Sequence, residues 1–195
     1  MENSFLDTIR SNDADLLIFL NNLGNEKWDS FWLTITNQFN WIPLFVIILI
    51  LIYLRFGLKK TLFSLFFIAV MVAFSDQFTN LIKNTTERIR PCNTAYLQEY
   101  LRQFSYKPRG YSFWSGHASL STTFSVFIIL LLRSKFKFIY SLLLFPMVFG
   151  YSRVYLGVHY PGDISVGYLS GMLFGFLFYK LYSFLYQRVF KESLV

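Results

Sequence analysis

Apolar residues run along this chain in long, nearly unbroken stretches, with polar residues gathered between them. The first stretch is WIPLFVIILILIYLRFGLKK, residues 41–60, which can reach back to Trp28. The second is TLFSLFFIAVMVAFSDQF, 61–78, and extends to about Lys83. The third, fourth and fifth cover 117–133, 136–156 and 163–186. A helix needs about 20 mainly apolar residues to cross a bilayer. Backbone groups inside lipid must be hydrogen-bonded within their own segment. The runs therefore predict an all-α integral membrane bundle, formed as a single domain over residues 1–195. Pro146 predicts a kink in the fourth helix. Residues 15–35 mix Trp and Phe with polar side chains and read as an amphipathic, interfacial N-terminal element. Five spans result, with a sixth drawn from residues 15–40 as the alternative.

The fifth run carries Gly167, Gly171 and Gly175 at every fourth position, which places them along one side of a helix. Such a stripe lets a neighbouring helix approach closely. Packing inside the bundle is favoured over a dimer face.

Composition supports the membrane reading. The chain is 54% hydrophobic and 21% aromatic, with 15% charged residues, too apolar for an ordinary soluble domain. The net charge of +7 would suggest nucleic acid in a soluble protein. Here the basic residues flank apolar runs, which suits lipid headgroups, and no nucleic-acid module is visible. Cys92 is the only cysteine, so no internal disulfide can form. The acidic, polar start MENSFLDTIRSNDAD lacks the pattern of a cleaved signal.

Basic residues in short connections set orientation. Arg55, Lys59 and Lys60, then Arg133, Lys135 and Lys137, then Arg188 and Lys191 fall on one side, taken as cytoplasmic. The acidic N-terminal segment (Glu2, Asp7, Asp13, Asp15, Glu26, Asp29), loop 84–116 and loop 157–162 fall on the other. Loop 84–116 is itself basic, against the rule, so its charges need another role.

Three polar segments end spans on that outer side. KNTTERIRP, 83–91, supplies Lys83, Arg88 and Arg90; WSGHAS, 114–119, supplies Ser115, Gly116 and His117; SRVYLGVHYPGD, 152–163, supplies Ser152, Arg153, His159 and Asp163. Arginine can grip two phosphate oxygens at once. The free N–H groups at the start of the third helix favour an anion, and Gly116 lets the backbone come near it. Two histidines offer a nucleophile and a proton donor. Asp163, four residues after His159, can fix that imidazole's tautomer. Together these groups suit phosphoryl transfer. A zinc site of His117, His159 and Asp163 is the chemical rival, but a cluster of Lys and Arg repels a divalent cation, so no metal or other cofactor is expected.

The three segments resemble the signature of the type 2 phosphatidic acid phosphatase family, which shares its site with vanadium haloperoxidases. Lys83 to Arg90-Pro91 and Ser152-Arg153 to His159 to Asp163 have the family's spacing; Trp114-Ser115-Gly116-His117 departs only in carrying Trp114 where the family has proline. The resemblance implies that His159 is the nucleophile, His117 the general acid and Asp163 the residue that orients His159. It implies that Lys83, Arg90, Ser115, Gly116 and Arg153 bind phosphate. Arg88 lies outside the pattern and is left out of the core site. The implied activity is hydrolysis of a phosphomonoester or pyrophosphate on a membrane lipid through a phosphohistidine. Candidate lipids are undecaprenyl pyrophosphate, phosphatidylglycerol phosphate, phosphatidic acid and a lipid A phosphate. The implied setting is a bacterial inner membrane with the site facing the periplasm or outside. The rivals are a protein that binds or transports a lipid phosphate without cleaving it and a haloperoxidase-type oxidase; the long membrane runs oppose the second. The sequence leaves the oligomeric state open. Asp76, seven residues before Lys83 on the same helical face, is either a functional acid or a helix-packing counter-ion.

Overall fold

The structure is a computed structural model that describes residues 5–194; Glu2 lies outside them. Among the described residues, six α-helices and short 3₁₀ turns account for the regular structure. They are α1 (Phe5–Asn22), α2 (Glu26–Thr36), α3 (Ile42–Thr86), α4 (Gly116–Leu132), α5 (Leu144–Tyr155) and α6 (Pro161–Phe190).

The first two apolar runs join in α3, which is interrupted at Gly57 (φ 72°, ψ 173°). That conformation is open to glycine and disfavoured for other residues, so the break falls there rather than at residue 60. Two arms result, 42–56 and 58–86, and both line one groove of about 800 Å³.

The fourth run is not one kinked helix. Lys137–Leu143 forms a 3₁₀ segment, and α5 begins at Leu144. Pro146 stands in the first turn of α5, where a backbone N–H has no intrahelical partner to lose. The segments Gln38–Thr86, Lys137–Tyr155 and Pro161–Phe190 are long and apolar enough to cross a membrane, and Gly116–Leu132 is a shorter apolar helix. With α3 counted as two arms, these match the five expected runs.

At one end the basic connections meet. Arg55 bonds the Ser134 hydroxyl, Lys60 pairs with Glu192, and Lys135 Nζ donates to Leu54 O at 2.7 Å. At the other end α1 and α2 lie across the helix tips. α1 buries Ala14, Leu17 and Asn21 while exposing Phe5, Ile9 and Phe19, the two-faced pattern expected of an interfacial element. Asn21 Nδ2 donates to Tyr155 O at 2.6 Å, and Arg102 of the long loop clamps Asp29 of α2 at 2.7 Å through both carboxylate oxygens.

The glycine stripe faces inward, onto α4. A Cβ at Gly171 would stand 2.5 Å from Ser119 O, and one at Gly175 would stand 2.7 Å from Thr123 O. The α4 backbone cannot yield as a flexible side chain would. Gly171→Ala is expected to destabilise the bundle by about 1–3 kcal/mol, despite alanine's better helix propensity. A lowered melting temperature in detergent checks this, and an unchanged one contradicts it.

Candidate active site

The site forms where α4 and α6 begin and α5 ends. Ser115 caps α4: its Oγ accepts from Ala118 N at 3.4 Å, and its own N–H donates to Asp163 O at 3.1 Å. The second bond locks the start of α4 to the start of α6. Trp114, where the family has proline, packs on Phe78 of α3 with ring centroids 5.9 Å apart. The loop is thus anchored by a tilted ring contact and still delivers Ser115 as the cap. Gly116 faces α3, and a Cβ there would meet Thr79 Cγ2 at 3.3 Å.

His159 follows α5 in a tight turn and is buried. Its Nδ1 lies 3.3 Å from Asp163 Oδ2, and its Nε2 lies 2.9 Å from Arg90 Nη1. An arginine N–H can only donate, so Nε2 is the acceptor and the proton sits on Nδ1, directed at Asp163. Burial first, then the cations Arg90, Arg153 and Lys83, hold His159 well below the ordinary imidazole pKa. A neutral imidazole with an unprotonated Nε2 is the form that can attack phosphorus, once Arg90 releases that lone pair.

Asp163 is fully buried and occupies the third position of α6. Its Oδ2 also accepts Tyr160 N–H at 3.0 Å, completing the helix cap. Its Oδ1 accepts from Arg88 Nη1 at 2.7 Å. Arg88, which lies outside the family pattern, is thus bound to the same carboxylate that faces His159.

His117, on the first turn of α4, lies with its ring 4.6 Å from Phe149. It is within electrostatic reach of Arg153, His159, Lys83 and Arg90. All eight residues expected from the sequence therefore converge on one end of the bundle. Ser152 does not face the cluster's chemistry; its Oγ donates to Phe149 O at 2.6 Å inside α5.

The four cations divide by their partners. Arg88 gives each terminal nitrogen to a carboxylate, Asp163 and Asp13. Among the described residues, Lys83, Arg90 and Arg153 form no ion pair with a carboxylate. Arg90 donates to Gly110 O and Val158 O, each at 3.1 Å, besides His159. Arg153, almost wholly buried, bonds the Thr36 hydroxyl and Tyr106 OH, and its Nε has no partner. Three cations without carboxylates, beside a helix N-terminus and an uncharged imidazole, make a site for a multiply charged anion. Thr36 and Tyr106 were missed in the sequence, which gives no local signal for either.

A helical membrane bundle with a buried, cationic histidine site is the architecture of a membrane-embedded phosphatase. The family model of the PAP2 superfamily matches residues 62–187, and the chain belongs to that superfamily. It is 31% identical over 165 residues to a lipid A 4'-phosphatase of Bacteroides thetaiotaomicron, covering 82% of this chain and 72% of that one. It is 32% identical over 159 residues to an undecaprenyl-diphosphatase of Sulfolobus acidocaldarius, covering 80% and 64%. The crystal structure of a transmembrane PAP2-type phosphatidylglycerolphosphate phosphatase from Bacillus subtilis has the same fold (TM-score 0.67, 20% identity, 94% of this chain and 88% of that one). The chain is an integral membrane enzyme, a phosphatase.

Proposed function

We propose that this single-domain enzyme removes a phosphate from the headgroup of a membrane lipid, and that a lipid A-type phosphomonoester is its first candidate substrate. In this reading the site faces the periplasm of a bacterial inner membrane. His159 attacks phosphorus, His117 protonates the leaving oxygen, and Asp163 holds His159 in the attacking tautomer. Lys83, Arg90 and Arg153, with the α4 N-terminus at Ser115 and Gly116, stabilise the equatorial oxygens of the transferring group. Water then releases phosphate from the phosphohistidine.

The observation that carries the lipid reading is the groove between the arms of α3. Its walls are apolar, with Ile42, Phe45, Ile48 and Leu49 on one arm and Leu65 and Ile68 on the other. Its polar end includes Lys83, Gly116 and His117, with Asp76, Thr79 and Asn80 beside them. A phosphate held there places an attached hydrocarbon chain between the arms, out of water. The preference for a lipid A-type substrate rests on the names of similar proteins, the Bacteroides thetaiotaomicron relative and one from Porphyromonas gingivalis that is 25% identical.

Purified protein in detergent, offered the four candidate lipids, tests both levels. Phosphate release from the lipid A phosphate is expected to be fastest and to be inhibited by vanadate. Release only from another lipid overturns the substrate. Tight binding without release from any of the four overturns the enzymatic reading in favour of a binding protein.

A further inference from the structure

We propose that Arg88 and Asp13 are positioning residues of the reaction, acting on the nucleophile through Asp163. The inference rests on His159 and Asp163 having the roles given above. The geometry is a continuous chain of charges. Asp163 Oδ2 faces His159 Nδ1, and Asp163 Oδ1 takes Arg88 Nη1. Arg88 Nη2 donates to Asp13 Oδ2 at 2.7 Å. Asp13 Oδ1 accepts Gly162 N–H at 2.7 Å, one residue before Asp163. The loop therefore closes on itself at the N-terminus of α6, where a carboxylate is favoured by the helix dipole. The Arg88 guanidinium carbon also sits over the Tyr160 ring, 3.8 Å from its centroid.

Each partner answers a physical need. Asp163 is fully buried, and its Oδ1 has Arg88 as its charged donor. Without that donor the carboxylate is free to rotate toward other N–H groups, and His159 loses its orientation. Arg88 in turn needs Asp13, because one carboxylate leaves half its fork unused. Gly162 allows the approach: a Cβ there would stand 2.8 Å from Asp13 Oδ2. Arg88 thus differs from Lys83, Arg90 and Arg153, since both of its ends are engaged by carboxylates. The consequence is that α1, which supplies Asp13, belongs to the catalytic geometry and is more than a membrane-surface element.

The test is a double-mutant cycle in the full-length protein with one lipid phosphate that the wild type hydrolyses. Arg88→Gln is expected to lower kcat by about 30-fold to 100-fold with KM changed less than about threefold. Arg88→Lys, which keeps one ion pair, is expected to recover part of the loss, and Asp13→Asn to cost about threefold to tenfold. In an Asp163→Asn background, Arg88→Gln is expected to cost less than about threefold, because its route of action is already cut. Arg102→Gln, which breaks the other loop clamp at Asp29, serves as the control for loose anchoring and is expected to keep near-wild-type kcat. Equal losses from Arg88→Gln in both backgrounds overturn the proposal, as does wild-type kcat in Arg88→Gln. A rise in KM larger than the fall in kcat overturns it too and makes Arg88 a phosphate ligand. If Arg88→Gln fails to fold, Asp13→Asn is carried through the same cycle and decides the matter. Full activity of Asp163→Asn alone refutes the underlying reading of the site instead.

Discussion

His159→Ala is expected to lower turnover by about 10⁴-fold or more while the bundle stays folded. The size follows from the kind of step removed. If His159 forms the covalent bond to phosphorus, its loss removes a reaction path, and about 5.5 kcal/mol or more of transition-state stabilisation goes with it. The fold survives because the partners left behind stay satisfied. Asp163 keeps Arg88 and Tyr160 N–H, and Arg90 keeps the carbonyls of Gly110 and Val158. His117→Ala is the instructive contrast. A general acid matters in proportion to how poor the leaving group is. With p-nitrophenyl phosphate, whose leaving oxygen needs little protonation, His117→Ala is expected to regain much of its rate, whereas His159→Ala stays inactive. Rapid quenching in alkali, which preserves phosphohistidine, is expected to trap a labelled adduct in the wild type and none in His159→Ala. An adduct in that variant, or substantial turnover of either substrate, would assign the nucleophile elsewhere.

The parts of this site that the sequence made legible are those built by local geometry. His159 and Asp163 are four residues apart because a helix starts between them, at Pro161, and its third residue points back at the turn. Ser115, Gly116 and His117 are legible because a cap, a small residue and a polar first-turn residue at the start of an apolar run have few structural uses together. Hydropathy likewise revealed each membrane run, since lipid tolerates only helices there. Hydropathy does not report backbone form. It could not show that Lys137–Leu143 is 3₁₀ while Leu144–Tyr155 is α, nor that the break in α3 falls at Gly57 instead of beside Lys59 and Lys60. Long-range pairings were also invisible. Asp13 and Asp163 each stand 75 residues from Arg88, and Thr36 stands 117 from Arg153. No spacing rule links such positions; only the placement of α1 and α2 over the helix tips does. The basic character of loop 84–116, which ran against the orientation rule, has its explanation in the same place. Arg88 and Arg90 are engaged at the site, and Arg102 holds α2.

Arg153→Gln is expected to cut kcat/KM by about 10³-fold and, at the same time, to leave the unliganded protein as stable or more stable. The two effects share one cause. Arg153 is a guanidinium with almost no exposure, held by two hydroxyl groups, with its Nε unbonded and no carboxylate in an ion pair with it among the described residues. Burying such a charge costs several kcal/mol unless an anion compensates it. An arginine that does not itself bind the anion has its compensating carboxylates within the fold, as Arg88 has Asp13 and Asp163. Here a phosphate from the substrate would complete the balance, so the protein is less stable alone in exchange for stronger stabilisation of the transferring group. Glutamine removes the buried charge and places its amide near the position of the unbonded Nε, two bonds short of the Nη1 that meets the Thr36 and Tyr106 hydroxyls. Thermal unfolding of the variant should therefore occur at or above the wild-type temperature without ligand. Vanadate is expected to stabilise the wild type by binding the folded state and to raise the variant's melting temperature far less. A variant that loses activity and unfolds earlier in the absence of ligand would show instead that Arg153 holds the helix tips together, and that phosphate is gripped by Lys83 and Arg90 alone.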